Sequence, residues 1–371
     1  MCNIAGYVGD KQAAPILVEM LRRQEIYDAG FSTGIVTIHE GKLYYKRVLG
    51  NVDEFLKQVD LNELPGTIGL AHSRPYNNEM CLVHPYISMN GKLALVTNGT
   101  TPKDDLIPRR EAVGRMLLDN GFDFYTRFKD DTSTFPLLQD GYRVAAAEIL
   151  TNYIQYFMDK GDSFEKAIAK ANNDMFAERV CVTISADDES KINVCRITRP
   201  MELMIAEDEC YVATTRFGFP EDVEGNVVSF PTCRVCSVTK NGVEFTENAV
   251  DFEPVSEITP RTYKLAYEKI ESMLMGGKDN PCVYDDIEFA MLDLKEMWDK
   301  PTRYTPYAKV GYDVLWQLKE EGRLKSFLAP QTDPFNNAKG TRMLANMYIE
   351  SDGETESDFK RVATKIPGKE K

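Results

Sequence analysis

Met1-Cys2-Asn3-Ile4-Ala5-Gly6-Tyr7-Val8 opens the chain, and its second residue decides how the rest is read. Removal of Met1 makes Cys2 an N-terminal cysteine, which joins a nucleophile and a base on one residue. Its thiol can attack a carbonyl while its own α-amine, with an ordinary pKa of roughly 7.7–8.0, takes and returns a proton near neutral pH. The plainer reading of Cys2 is a small hydrophobe at the head of a buried first strand. The remainder of the chain decides between the two.

With 371 residues, 43% of them hydrophobic and 27% charged, the chain can bury a full core and fits one large domain plus a smaller unit. The first residues lack the basic-then-apolar layout of a secretory signal, and no run reaches ~18 apolar residues, so a cytoplasmic protein without a membrane span is expected. A net charge of −14 repels phosphate backbones and anionic membranes, which argues against nucleic acid as a partner. Eight scattered cysteines read as reduced thiols. Cys233-Arg234-Val235-Cys236 has metal or redox spacing but lies in a strand-like run without a second Cys or His pair, so it reads as structural and no metal is expected.

Asn3 to Val8 reads as a strand, and Pro15 to Tyr27 carries helical spacing through Ile16, Leu17, Met20 and Leu21. Gly34–His39 and Lys42–Val48 read as a hairpin around Glu40-Gly41, and Val52–Val59 as a helical piece. Thr67–His72 and Lys92–Thr97 are apolar strands that end in polar clusters. Helical patterns run over Thr132–Lys160 and Ser163–Met175, and from Ala177 to Glu247 the chain returns to short strands separated by Asp, Glu, Gly and Pro. Strands, then helices, then strands again predict layered antiparallel sheets flanked by helices, an α+β fold rather than alternating βαβ units. Beyond Pro254–Pro260, three helices are expected over Tyr263–Met275, Asp285–Trp298 and Pro306–Glu321, with Gly322 as a C-terminal cap. Basic and acidic residues nearly balance in that stretch, so it lacks the footprint of a winged-helix DNA reader.

Three further places accompany Cys2: Ala71-His72-Ser73-Arg74-Pro75-Tyr76-Asn77, Val96-Thr97-Asn98-Gly99-Thr100 and Asp130-Asp131-Thr132. An amide hydrolase acting through a thiol needs donors for the developing oxyanion, which the side-chain amide of Asn98 and the backbone N–H of Gly99 can supply. For an amino-acid substrate, Arg74 can clamp an α-carboxylate in bidentate fashion and Asp131 can hold an α-ammonium. Taken singly, Asn98-Gly99 is a turn signal, Arg74 a surface charge and Asp131 a helix N-cap. His72 lies in an alternating strand and reads as structural, because the terminal amine already fills the role of base.

Together these blocks resemble the glutaminase domain of the class II glutamine amidotransferases, which are N-terminal nucleophile hydrolases. The start resembles the family's Cys-Gly-Ile-x-Gly-Tyr, Leu21-Arg22-Arg23-Gln24-Glu25 resembles its Leu-Arg-Arg-Leu-Glu, and Gly69-Leu70-Ala71-His72-Ser73-Arg74 resembles its Gly-Ile-Ala-His-Thr-Arg. Asn98-Gly99 is similar to the family's oxyanion pair, Asp131-Thr132 to its Asp-Thr at the substrate ammonium, and Arg199-Pro200-Met201-Glu202-Leu203 with Thr214-Thr215 to the paired strands that close the domain. The resemblance covers about residues 1–250 and implies an αββα sandwich of two antiparallel sheets. It further implies that Cys2 attacks the side-chain amide of L-glutamine, ammonia leaves, and water hydrolyses the thioester to glutamate without a cofactor.

The chain departs from that pattern in places. Asn3 replaces the glycine after the nucleophile, Pro75 stands where a family member has a gating Trp, and Asn77 replaces a substrate-contacting Thr that it can still imitate as a hydrogen-bonding group. The family's Tyr-Arg-Gly-Tyr-Asp-Ser-Ala-Gly becomes Ile26-Tyr27-Asp28-Ala29-Gly30-Phe31-Ser32-Thr33-Gly34, without its Arg. The expected organisation is a glutaminase domain over 1–250, a small helical accessory unit over 251–335 and a polar, disordered tail over 336–371. No paired sugar-phosphate isomerase domains are expected after residue 250, so productive use of ammonia requires an acceptor protein in trans; a homo-oligomer is left open. The alternatives are a glutamine-sensing or regulatory subunit that binds without turnover, and an N-terminal-cysteine amidase for another amide.

Overall fold

The computed structural model describes residues 1–75, 79–99, 106–129, 135–138, 140–332 and 341–350. Two antiparallel sheets lie face to face. The first combines β1 (Asn3–Val8), β2 (Ser32–His39), β3 (Lys42–Leu49), β4 (Ile68–Arg74), β9 (Glu202–Ala206), β10 (Glu209–Ala213) and β11 (Asn226–Ser229). Their order is β11-β9-β10-β1-β4-β2-β3, with β1 at the centre. The second holds β5 (Tyr86–Ile87), β6 (Leu93–Asn98), β7 (Val180–Ser185), β8 (Asp188–Arg196), β12 (Arg234–Thr239) and β13 (Gly242–Ala249), in the order β13-β12-β8-β7-β6-β5.

The alternation of each strand sorts its side chains into layers. In β1, Ile4 and Val8 enter the core between the sheets with Val36, Leu70, Val96, Val182 and Val194. Ala5 and Tyr7 face the other way, onto α1 (Ala13–Glu25), where they meet Leu17, Met20 and Leu21. In β6, Ala94 and Val96 face the inter-sheet core, whereas Leu93 and Leu95 face α3 (Ile107–Asp119), α4 (Ala146–Asp159) and α5 (Phe164–Asp174). The result is the expected αββα sandwich, with α1 and α2 (Val52–Gln58) outside one sheet and α3, α4 and α5 outside the other.

Two features depart from the sequence reading. The helix expected over Thr132–Lys160 begins only at Ala146, and α3 was not foreseen, because its buried face amounts to Arg110, Val113, Gly114 and Leu117 in an otherwise polar run. At the other end, α6 (Pro260–Leu274), α7 (Tyr284–Asp293) and α8 (Tyr307–Glu320) form as expected, and β14 (Leu324–Thr332) pairs antiparallel with β15 (Thr341–Ile349). The polar tail expected from residue 336 is therefore corrected over Thr341–Ile349. Ala345, Met347 and Ile349 there are buried against the helices. That burial gives an otherwise ordinary strand a reason to fold.

Candidate active site

Three strand ends meet at one end of the inter-sheet gap. Asn3 of β1 lies opposite Ser73 of β4, so Cys2 precedes the strand beside Arg74. Arg74 shares the parity of Leu70, and Asn98 that of Ala94 and Val96, all of which face the gap. Cys2 shares the parity of Ile4. The side-chain amide of Asn98 donates to the Cys2 carbonyl at 2.9 Å, which ties the end of the second sheet to the start of the first. Thr214 fixes β1 from its other side: the Ile4 N–H donates to Thr214 Oγ1 at 2.8 Å, and the Thr214 N–H returns to the Ile4 carbonyl at 3.1 Å.

Gly99 follows Asn98 with φ +76°, and a Cβ there would lie 2.1 Å from the Glu178 carbonyl oxygen and 2.9 Å from Arg199 Cγ. Only glycine allows that approach. Arg199 is held under the loop by Glu288 of α7, its Nη1 lying 2.8 Å from Oε1, by Glu178 at 3.7 Å, and by the Tyr307 ring 5.3 Å below the guanidinium. Burial works to lower the Arg199 pKa, but Tyr307, Glu288 and Glu178 together outweigh it and raise it, so the side chain stays cationic.

Burial pushes the Cys2 thiol above its usual value, against the pull of Arg74, the terminal ammonium and Arg199, while Glu288 adds to the rise. At rest the sulfur is therefore a thiol, and it needs a base to become a nucleophile. The ammonium of Met1 is ion-paired with Asp28, whose other oxygen accepts from the Ala29 N–H at 2.6 Å and from Arg342 of β15 at 2.8 Å. Asn3, in the place of the family's glycine, donates from its side chain to the Asp28 carbonyl at 2.7 Å. Arg342 also donates to the Ala29 carbonyl at 3.0 Å, so the Ile26–Gly34 stretch, which has no arginine of its own, is braced from β15.

Arg74 Nη1 donates to the Leu82 carbonyl at 2.8 Å. His72 is buried and stacked on His84 with ring centroids 3.9 Å apart, and its Nε2 lies 3.1 Å from the Thr97 carbonyl. Burial foremost, then Arg74, lowers its pKa to about 3, so the ring is neutral. Asn77 and Asp131 lie outside the described residues. Cys233 and Cys236 are both free thiols on or beside β12, and Cys236 is buried in the inter-sheet core. Among the described residues one group of carboxylates has metal-ligand proximity: Asp28, Asp285 and Glu288.

Sequence reasoning placed Cys2, Arg74, Asn98 and Gly99, and the fold brings these four together. It did not single out Asp28, Arg199, Glu288 or Arg342. Arg199 and Asp28 stood inside quoted blocks, but Glu288 and Arg342 sit on an ordinary helix and strand, and only the tertiary packing carries them to the site. The arrangement brings a partly buried thiol, an amide donor and a guanidinium to neighbouring strand ends. No helix among the described residues is long and apolar enough to cross a membrane.

No family model matches the chain. It is 29% identical over 241 residues to glutamine–fructose-6-phosphate aminotransferase (isomerizing) of Pyrococcus horikoshii, which covers 62% of this chain and 36% of that protein. With the protein of the same name from Shewanella oneidensis the identity is 25% over 314 residues, covering 82% and 44% respectively. The chain thus spans less than half the length of these curated relatives. Among solved structures it resembles glutamine phosphoribosylpyrophosphate amidotransferase of B. subtilis, with a TM-score of 0.54 and 16% identity over 93% of this chain and 72% of that one. A similar likeness holds for an allosteric regulatory enzyme of purine biosynthesis, with a TM-score of 0.55 and 15% identity over 93% and 71%. At such identities the solved structures speak for the fold alone. In sequence the chain is thus similar to part of glutamine–fructose-6-phosphate aminotransferases, and in fold to solved glutamine amidotransferase structures.

Proposed function

We propose that the chain, once Met1 is removed, hydrolyses the side-chain amide of L-glutamine to glutamate and ammonia as an amidotransferase subunit, and delivers the ammonia to an acceptor protein in trans. The observation that carries this reading is the Asn98 side chain on the Cys2 carbonyl at 2.9 Å, with Gly99 held behind it and Arg74 beside it. In the proposed reaction the neutral α-amine of Cys2 takes the thiol proton while sulfur attacks the amide carbon. The oxyanion is held by Asn98 Nδ2 and the Gly99 N–H. The α-ammonium returns its proton to the departing nitrogen, the C–N bond breaks and ammonia leaves a thioester. Water, deprotonated by the same amine, then adds to the thioester carbon, and the C–S bond breaks to give glutamate and the free thiol. Arg74 is assigned to the substrate α-carboxylate, with Asn77 as a further polar contact and Asp131 at the α-ammonium.

The test joins intact mass to glutamate release on one purified sample. A chain lacking Met1 that turns over glutamine, and loses that turnover in Cys2→Ala, is the expected result. A processed chain that binds glutamine without releasing glutamate overturns it in favour of a sensing subunit.

A further inference from the structure

Three carboxylates from distant parts of the sequence converge where the chain begins. Asp28 follows α1, Asp285 and Glu288 lie in the first turns of α7, and one oxygen from each falls within 4.8 Å of the other two. Asp28 is fully buried, and its Oδ2 makes no hydrogen bond; its partner is the Met1 ammonium. The cluster therefore already holds an ammonium group in the unprocessed chain.

Charge balance shows what processing does. Arg342 neutralises one side of Asp28, and Arg199 is shared between Glu288 and Glu178. The Met1 ammonium is the third positive charge against four carboxylates. In the proposed reaction, on which this inference rests, Met1 is gone and the Cys2 amine must be neutral to accept the thiol proton. The buried Asp28 oxygen that Met1 occupied is then left without a partner, and a buried unpaired charge is costly. A tetrahedral ammonium ion bound at ~2.8 Å from each oxygen requires oxygens ~4.6 Å apart, which the observed spread admits. The two flanking guanidiniums favour such a monovalent cation over a divalent one.

We propose that in the processed chain Asp28, Asp285 and Glu288 form an ammonium site that holds the nitrogen released from glutamine, as NH4⁺, one residue away from the thiol. Ammonia leaving the thioester takes a proton from solvent to become this ion, so the hydrolytic step itself is unchanged. The site would retain the product inside the protein under the α7–β15 cover.

The test measures the thermal midpoint of the full chain, its Met1 removal verified by intact mass, in ammonium chloride and in sodium chloride at equal ionic strength. A saturable upward shift of a few degrees in ammonium is expected, and its loss is expected in Asp285→Asn. A chain that retains Met1, made with methionine aminopeptidase inhibited, fills the site with its own ammonium and should show no shift, which keeps the test independent of how Asp285→Asn folds. Equal midpoints in the two salts for the processed chain overturn the proposal, as does a shift that L-glutamate produces and ammonium does not, because the cluster would then serve the α-amine of an amino acid. The shift is read without turnover, so a chain that shows it but cannot hydrolyse glutamine refutes the proposed function and leaves the site standing.

Discussion

At the scale of single residues, the geometry around Cys2 separates groups that bind from groups that act late. Asn98 touches the Cys2 carbonyl, and its proposed work is on the oxyanion, so Asn98→Ala should lower kcat by about 10²–10³-fold with little change in KM, read by steady-state glutamate release. Glu25 makes a different prediction. Its carboxylate accepts from Ser73 Oγ at 2.6 Å and from the Val52 N–H at 3.1 Å, yet burial raises its pKa to about 7. The folded state holds that proton more tightly than the unfolded chain, so the stability it contributes is full below about pH 4 and is lost as pH rises through 7. Urea titrations across that window should show a total change of about 3 kcal/mol, flattened in Glu25→Gln. Of these residues, Asn98 was legible because a strand ending in Asn-Gly beside an N-terminal cysteine has a chemical meaning. Glu25 was quoted only as part of a block. Its raised pKa comes from burial between α1 and the end of β4, which no local pattern encodes.

At the scale of elements, the last strand matters more to the site than its composition suggests. β15 delivers Arg342 to Asp28, more than three hundred residues away in sequence, and its Ala345 N–H donates to the Ile26 carbonyl at 2.6 Å. Arg342→Met keeps the apolar stem and removes the charge, leaving buried Asp28 short of a donor. It should cost about 1–3 kcal/mol in chemical denaturation. Strands β1, β4 and β6 were readable from their apolar runs and polar ends. β14 and β15 were not, because the polar run between them hid the hairpin and because their apolar residues gain a face to cover only after α6, α7 and α8 have packed. α3 escaped notice for a related reason, since a buried Arg110 and Gly114 interrupt its apolar stripe.

At the scale of the molecule, the C-terminal elements share a core with the end of the two-sheet sandwich. Phe217, Ile26, Tyr27 and Met1 pack in the same cluster as Ile270, Tyr284, Leu315 and Met347. Both tryptophans of the chain, Trp298 and Trp316, lie among these elements. Their fluorescence therefore reports one end of the molecule while far-UV circular dichroism reports all of it. The shared core predicts coincident unfolding curves from the two probes, and a separate earlier fluorescence transition would show that the end opens by itself.

The ion pair between Met1 and Asp28 also carries a message about timing in the cell. The partly buried Met1 belongs to a cluster completed by β15, the last strand described. During synthesis the amino terminus is exposed long before that strand exists, and the methionine is open to an aminopeptidase only in that interval. A finished chain that missed the opportunity should be refractory: methionine aminopeptidase added to the folded, unprocessed protein should leave its mass unchanged, while the same enzyme acting on the chain in mild denaturant should remove the residue. The maturation of this protein would then be decided on the ribosome, before there is any site to switch on.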